Sequence, residues 1–155
     1  MIVIKKSLIA GCDFSKVSKR QLRDNSCQHI SDVREGLQFF GELLKSAAAV
    51  HDSDELSTLD RFHSDFITSF RERGWWDNHC MVTRHHLHAE NGVPEDVNLI
   101  DVIETVVDSV MSCIARTGSV YPFEIKPEVL MRAVQNTIDL LKSQIQVEMG
   151  RGDRP

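Results

Sequence analysis

Apolar residues recur along this chain at intervals of three and four, the spacing that puts them on one face of an α-helix. Leu22, Cys27, Ile30, Val33, Leu37 and Phe40 predict a helix from Ser18 to about Phe40, and Ser18 with Gln21 three residues later resembles a capping box. Leu43, Leu44, Ala47, Ala48 and Val50 predict a second helix over Glu42 to Asp52. A third, from about Ser57 to Arg73, carries the stripe Leu59, Phe62, Phe66, Ile67 and Phe70, and Gly74 is its expected stop. Trp75 to Glu90 predicts a shorter fourth helix whose polar positions are rich in histidine; the tryptophan pair that opens it is expected in the core. The fifth helix has an acidic first turn at Pro94 to Asp96, a long apolar run from Leu99 to Ile114 and a Gly118 stop. Its hydrophobicity predicts the central, most buried helix. Pro127 to about Val147 predicts a sixth helix, and extended pieces are expected only at Ile2 to Ile4 and Val120 to Ile125. The pattern therefore predicts an all-α, single-domain bundle of about five to six helices over residues 1–150, followed by a disordered tail over 151–155.

Composition narrows the class of partner. With 155 residues, 41% apolar and 26% charged, the chain is long enough for one domain with its own core. A formal charge of -5 and a pI near 5.8 give no electrostatic footprint for a nucleic-acid polymer or a membrane surface. The apolar run from Ser7 to Gly11 is too short for a signal peptide or a membrane span, so a cytoplasmic location is expected. Cys12, Cys27, Cys80 and Cys113 occur singly, which points to free thiols. So many apolar stripes on a small all-α domain leave a homodimer open.

The chemistry gathers around histidine. Five of the 7 histidines fall between positions 63 and 88, and His51-Asp52 is followed at once by Ser53-Asp54-Glu55. Adjacent His and Asp offer a divalent metal an imidazole and a carboxylate from one turn of backbone. In the fifth helix Asp101, Glu104 and Asp108, spaced by 3 and 4, share a face. Asp101 is expected as a ligand, because a carboxylate in so apolar a helix needs a cation or donors. Glu104 and Asp108 are expected as a solvated acidic stripe, and Asn98 as a partner of Asp101 or a cap. In the fourth helix His79 and His86 share a face, whereas adjacent His85 and His86 diverge by about 100°, so only one of that pair need face a pocket. His63 and His88 are expected as packing or surface residues. Arg84 and Arg116 are candidates for binding a phosphate through planar paired donors. No phosphate-cradling glycine loop is present, and the Arg-Gly-Asp at 151–153 carries no adhesion role.

The pattern His29, then His51-Asp52, then Asp101 resembles the HD-domain superfamily of metal-dependent phosphohydrolases. The apolar stretch Leu43 to Val50 is similar to that family's approach to its doublet, and His51-Asp52-Ser53-Asp54-Glu55 resembles the His-Asp-x-x-Glu of the bacterial 5'-deoxynucleotidase branch. The resemblance implies an HD-like all-α fold and a metal held by His29, His51, Asp52 and Asp101, with His79, His85 or His86 available for a second ion. It implies Glu55 as general acid/base and a small phosphorylated substrate, a nucleotide or deoxynucleotide, hydrolysed by metal-activated water. One or two divalent ions are expected, with manganese, magnesium, cobalt, iron and zinc all open. His29 and His51 are 22 positions apart, about 33 Å along one straight helix, so sharing a metal requires a chain reversal near Gly36 or Gly41. Arg84 to Leu87 and Pro94 to Glu104 also resemble small uncharacterised tailed-phage proteins, for which the compartment would be a host cytoplasm. Two alternatives follow: a non-catalytic phage-type protein that binds a host partner with a structural metal or none, and a di-iron oxygenase on an HD-like scaffold.

Overall fold

Helical periodicity is met by helices almost throughout the computed structural model, which describes residues 1–7, 9–87 and 92–148. In chain order the elements are strand β1 (Ile2–Lys5), a 3-10 turn (Phe14–Lys16), α1 (Lys19–Val50), α2 (Ser53–Ser57), α3 (Leu59–Ile67), α4 (Gly74–Val82), α5 (Leu99–Thr117), α6 (Pro127–Gln144) and strand β2 (Ile145–Glu148). The fold is all-α with a short two-stranded parallel sheet. No helix is long and apolar enough to cross a membrane among the described residues. His88 and the expected tail over 151–155 lie outside those residues.

Contacts divide the chain into two compact units, one made of residues up to Glu42 with those from Asp139 onward, the other of Leu43 to Ile138. In the first, β1 pairs with β2 in parallel, Ile2 opposite Ile145 and Lys5 opposite Glu148. The expected sixth helix therefore stops at Gln144 rather than near Val147. Ile145-Gln146-Val147-Glu148 alternates with period two and places β-branched side chains against the strand Ile2–Lys5, which favours pairing over another turn of helix. Val120 to Ile125 forms no strand.

The predicted first and second helices are one. α1 runs unbroken for 32 residues through Gly36 and Gly41. Glycine costs only about 1 kcal/mol at a helix interior position, and the strong formers around Gly41, Glu42 to Leu44 and Ala47 to Ala49, outweigh it. Conversely, the predicted third helix is broken in two. α1 ends where Asp52 adopts a left-handed conformation (φ 46°), a state that aspartate tolerates better than most residues, and α2 starts immediately after it. α3 ends at Ile67 because Ser69 and Phe70 are both left-handed (φ 54° and 56°), and Gly74 begins α4 instead of stopping α3. That turn is held by the buried carboxylate of Asp65, which accepts from the Trp75 and Trp76 amides at 2.8 and 3.0 Å and so caps the N-terminus of α4.

In the second unit Leu87, Val97, Val129 and Ala133 form the buried core, with Val93, Leu99, Val102 and Ile125 packed on it. α5 contributes to this core only at its N-terminal end, where it buries Ile100, Asp101 and Thr105. Farther along, Val107 and Met111 are 54% and 65% exposed, so the expectation that α5 is buried along its length is corrected. The reason is local: Asn136 of α6 donates to the Glu95 and Val97 carbonyls, and Thr137 accepts from the Leu99 amide, which ties α6 to the start of α5.

Candidate metal centre

Four helices and one connecting segment bring residues of the second unit to one cluster. The end of α1 and its left-handed turn supply His51 and Asp52, α2 supplies Asp54 and Glu55, and α4 supplies His79. The segment after α4 supplies His85 and His86, and α5 supplies Glu104 and Asp108. Four triads have ligand atoms that all lie within 4.8 Å of one another: His51, His85 and Glu104; Asp52, His85 and His86; His51, Asp52 and Asp108; and Asp52, Glu55 and His79. Asp52 belongs to three of them.

The imidazoles are aimed by their neighbours. His79, 1% exposed, donates from Nδ1 to Asp54 Oδ2 at 2.8 Å, which leaves its Nε2 as a lone pair 3.6 Å from Asp52 Oδ1. A carboxylate that fixes a histidine tautomer in this way is the usual support of a metal-ligating imidazole. The His79 ring also stacks on Trp75, with centroids 4.7 Å apart and planes at 16°, and the Trp75 indole donates to Thr58 at 2.6 Å. His86 Nε2 lies 2.8 Å from His79 Nε2, within hydrogen-bond distance of that lone pair. His51 bonds through Nδ1 to Glu104 Oε1 at 2.9 Å, and its Nε2 lies 3.4 Å from Asp52 Oδ2 and 4.0 Å from Asp108 Oδ1. His85, 2% exposed, sits between Asp52 Oδ1 at 3.4 Å and Glu104 Oε1 at 3.3 Å.

The decisive feature is what lacks a partner. Asp52 Oδ1 and His85 Nε2 are both buried, both without a hydrogen bond, and they face each other across 3.4 Å. Buried polar atoms are rarely left so, and an imidazole nitrogen beside a carboxylate oxygen is a donor pair that a cation satisfies. The residues therefore fit a divalent metal. Asp52 would be a shared ligand, since it joins His51 and Asp108 in one triad, His85 and His86 in a second, and Glu55 and His79 in a third.

Charge states agree with that donor set. Burial, then the neighbouring His85 and His79, push the His86 pKa down to about 4, so its imidazole is neutral and available near pH 7. Burial opposes protonation of His51, but Glu104, Asp52 and Asp108 outweigh it and its pKa is raised. Glu55 has a raised pKa through burial and then the Asp52 charge, with His79 and Arg116 pulling the other way. A carboxyl tuned upward beside candidate ligands is suited to moving protons.

Several sequence expectations are corrected here. His29 is exposed on α1 and belongs to the other compact unit; the reversal that would bring it back to His51 is not formed, so it is not in the cluster. Asp101 is buried but already satisfied: both its oxygens accept from Arg84, at 2.8 and 2.9 Å, and Oδ2 also accepts from the Asn98 amide at 2.8 Å in a capping box. It is the N-terminal lock of α5 rather than a ligand. Arg84 is correspondingly committed, with Asp96 as a further partner at 3.0 Å and its pKa raised, first by the Asp101 hydrogen bonds. Glu104 and Asp108, expected as a solvated stripe, instead lie in the cluster beside His51. The expected fourth helix ends at Val82, and because 83–87 is not helical the adjacent His85 and His86 both reach the cluster. Thr105 fixes that segment, its hydroxyl 2.6 Å from the His85 carbonyl. His51, Asp52, Glu55, His79, His85 and His86 are all brought together as expected. Asp54 was missed as the orienter of His79; its position two residues after Asp52 was the available signal. His63 is exposed on α3.

No family model, curated protein or solved structure matches this chain.

Proposed function

We propose that this protein is a metal-dependent phosphohydrolase of HD-domain type that acts on a small phosphorylated metabolite. The observation that carries the reading is the buried, unpartnered pair Asp52 Oδ1 and His85 Nε2, ringed by the imidazoles of His51, His79 and His86. A bound divalent cation supplies Lewis acidity toward a phosphoryl oxygen and makes a nearby water more acidic. The protein does the rest. Asp54 holds His79 in one tautomer and Trp75 holds its ring plane, so the ligand set is fixed before substrate arrives. Glu55 takes a proton from the attacking water and returns one to the departing oxygen, as the ester P–O bond breaks and the water oxygen joins phosphorus. Of the two arginines the sequence offered for the phosphoryl group, Arg84 is committed to Asp101, and Arg116 is the one whose charge acts on Glu55.

The test is phosphate release from a panel of phosphomonoesters by metal-loaded protein. Turnover that falls at least a hundredfold in Glu55→Gln with metal retained, and disappears in His85→Ala, is the expected result. Metal-loaded protein inert toward every ester contradicts the assignment. Because Asp52 is shared among three candidate triads, enough donors for two ions, a di-iron oxygenase is the second reading. Iron in the purified protein with oxygen consumption, and no phosphate release, would select it.

A further inference from the structure

A trough adjoins the histidine cluster, and its chemistry bears on the part of the substrate that does not react. Ala47 and Ala48 of α1 and Ile103, Val107 and Met111 of α5 line a space of about 290 Å3. His51, Glu104 and Asp108 stand on the same lining, so the trough is continuous with the candidate ligands. Apart from those three, every lining side chain is aliphatic or a thioether. No lysine or arginine is among them.

This composition discriminates between classes of phosphate ester. A nucleobase carries donors and acceptors that would lose water against this aliphatic lining, and a phosphate chain extending beyond the reacting head would run along a lining with two carboxylates and no lysine or arginine. A hydrocarbon body has no polar group to leave unpaired there. It gains from every methylene withdrawn from water, while a single phosphoryl head reaches the end marked by His51 and Asp108. The volume sits at the small end of ligand pockets, suited to a body of several carbons.

We infer that the trough binds the apolar body of a hydrophobic alcohol monophosphate, and that the site selects such esters over nucleotides and polyphosphates. The inference rests on the metal-dependent reading above and names its substrate class. Alkylphosphonates carry the same head with no cleavable ester, so binding can be followed apart from turnover. Cobalt-loaded protein titrated with methyl-, butyl- and hexylphosphonate, monitored by the visible spectrum of the ion, is expected to tighten about two- to fourfold per methylene. Ala48→Phe, which fills the trough from an exposed position and replaces no ligand, is expected to keep the cobalt content and weaken hexylphosphonate at least tenfold.

Affinity independent of chain length, or adenosine monophosphate binding more tightly than butylphosphonate, overturns the inference and leaves the metal assignment standing. A dimer in sedimentation that dissociates in Ala48→Phe, with no chain-length dependence, assigns the trough to a second copy and overturns it equally. Chain-length dependence without hydrolysis of any ester supports the trough and removes the phosphohydrolase. Protein that takes up no cobalt overturns both.

Discussion

Asp54 is the residue whose role is easiest to isolate. Its Oδ2 holds the His79 imidazole, so Asp54→Ala should leave the fold intact and weaken metal binding by about 10- to 100-fold, measured by competition with a chelator. His86 makes a second prediction, in pH. Its folded pKa of about 4 lies below the ordinary histidine value, so between about 6.5 and 4 the unfolded chain binds the extra proton. The contribution is therefore complete above about 6.5 and is lost as pH falls toward 4. Metal-free protein should lose stability through that window in urea titrations, and His86→Gln should flatten the slope. His51 works in the opposite direction, because its raised pKa favours the folded state at lower pH and its contribution fades as pH rises through that value. The two histidines together explain why metal uptake should weaken on acidification, since each must be neutral to ligate.

Among the elements, α5 carries the sharpest test of a corrected role. Arg84 and Asp101 pair across its first turn, with Asp101 nearly buried and Arg84 partly open to solvent. Arg84→Met strands the carboxylate and should cost about 1–3 kcal/mol of unfolding free energy, read from the urea midpoint, with metal content unchanged. A phosphate-binding arginine would instead raise KM and leave stability alone. The sequence showed where helices form, and it brought His51, Asp52, His79, His85 and His86 to one site, because periodicity and residue type are local properties. It offered Asn98 as a cap or a partner of Asp101, which the capping box bears out, but not that Asp101 is satisfied there rather than free to ligate, because the donor that satisfies it, Arg84, is distant in sequence. Nor did it show that α1 passes through Gly36 and Gly41: glycine permits a turn, and only packing decides whether one is made. The break of α4 at Val82, which admits both His85 and His86, is likewise set by tertiary contacts, the Thr105 and Arg84 bonds.

For the molecule as a whole, the cluster sets a debt in the metal-free state: Asp52, Asp54, Glu55, Glu104 and Asp108 crowd together in a chain already at -5. Cation binding relieves that repulsion in the folded chain alone, so stability should rise with free metal by about 2.7 kcal/mol at a hundred times the dissociation constant, seen as a higher Tm. Magnesium, manganese, zinc and iron scanned this way rank the ions directly. The account stands most directly on metal content measured by mass spectrometry for the wild-type protein and for Asp52→Asn. Asparagine accepts the left-handed backbone at this turn and matches aspartate in size, so the variant removes the shared carboxylate charge and little else. One to two ions per wild-type chain, falling to below one in Asp52→Asn with the helical signal unchanged, is the predicted result. A folded wild-type protein that holds no divalent metal after reconstitution, or an Asp52→Asn variant that holds as much as wild type, would contradict it.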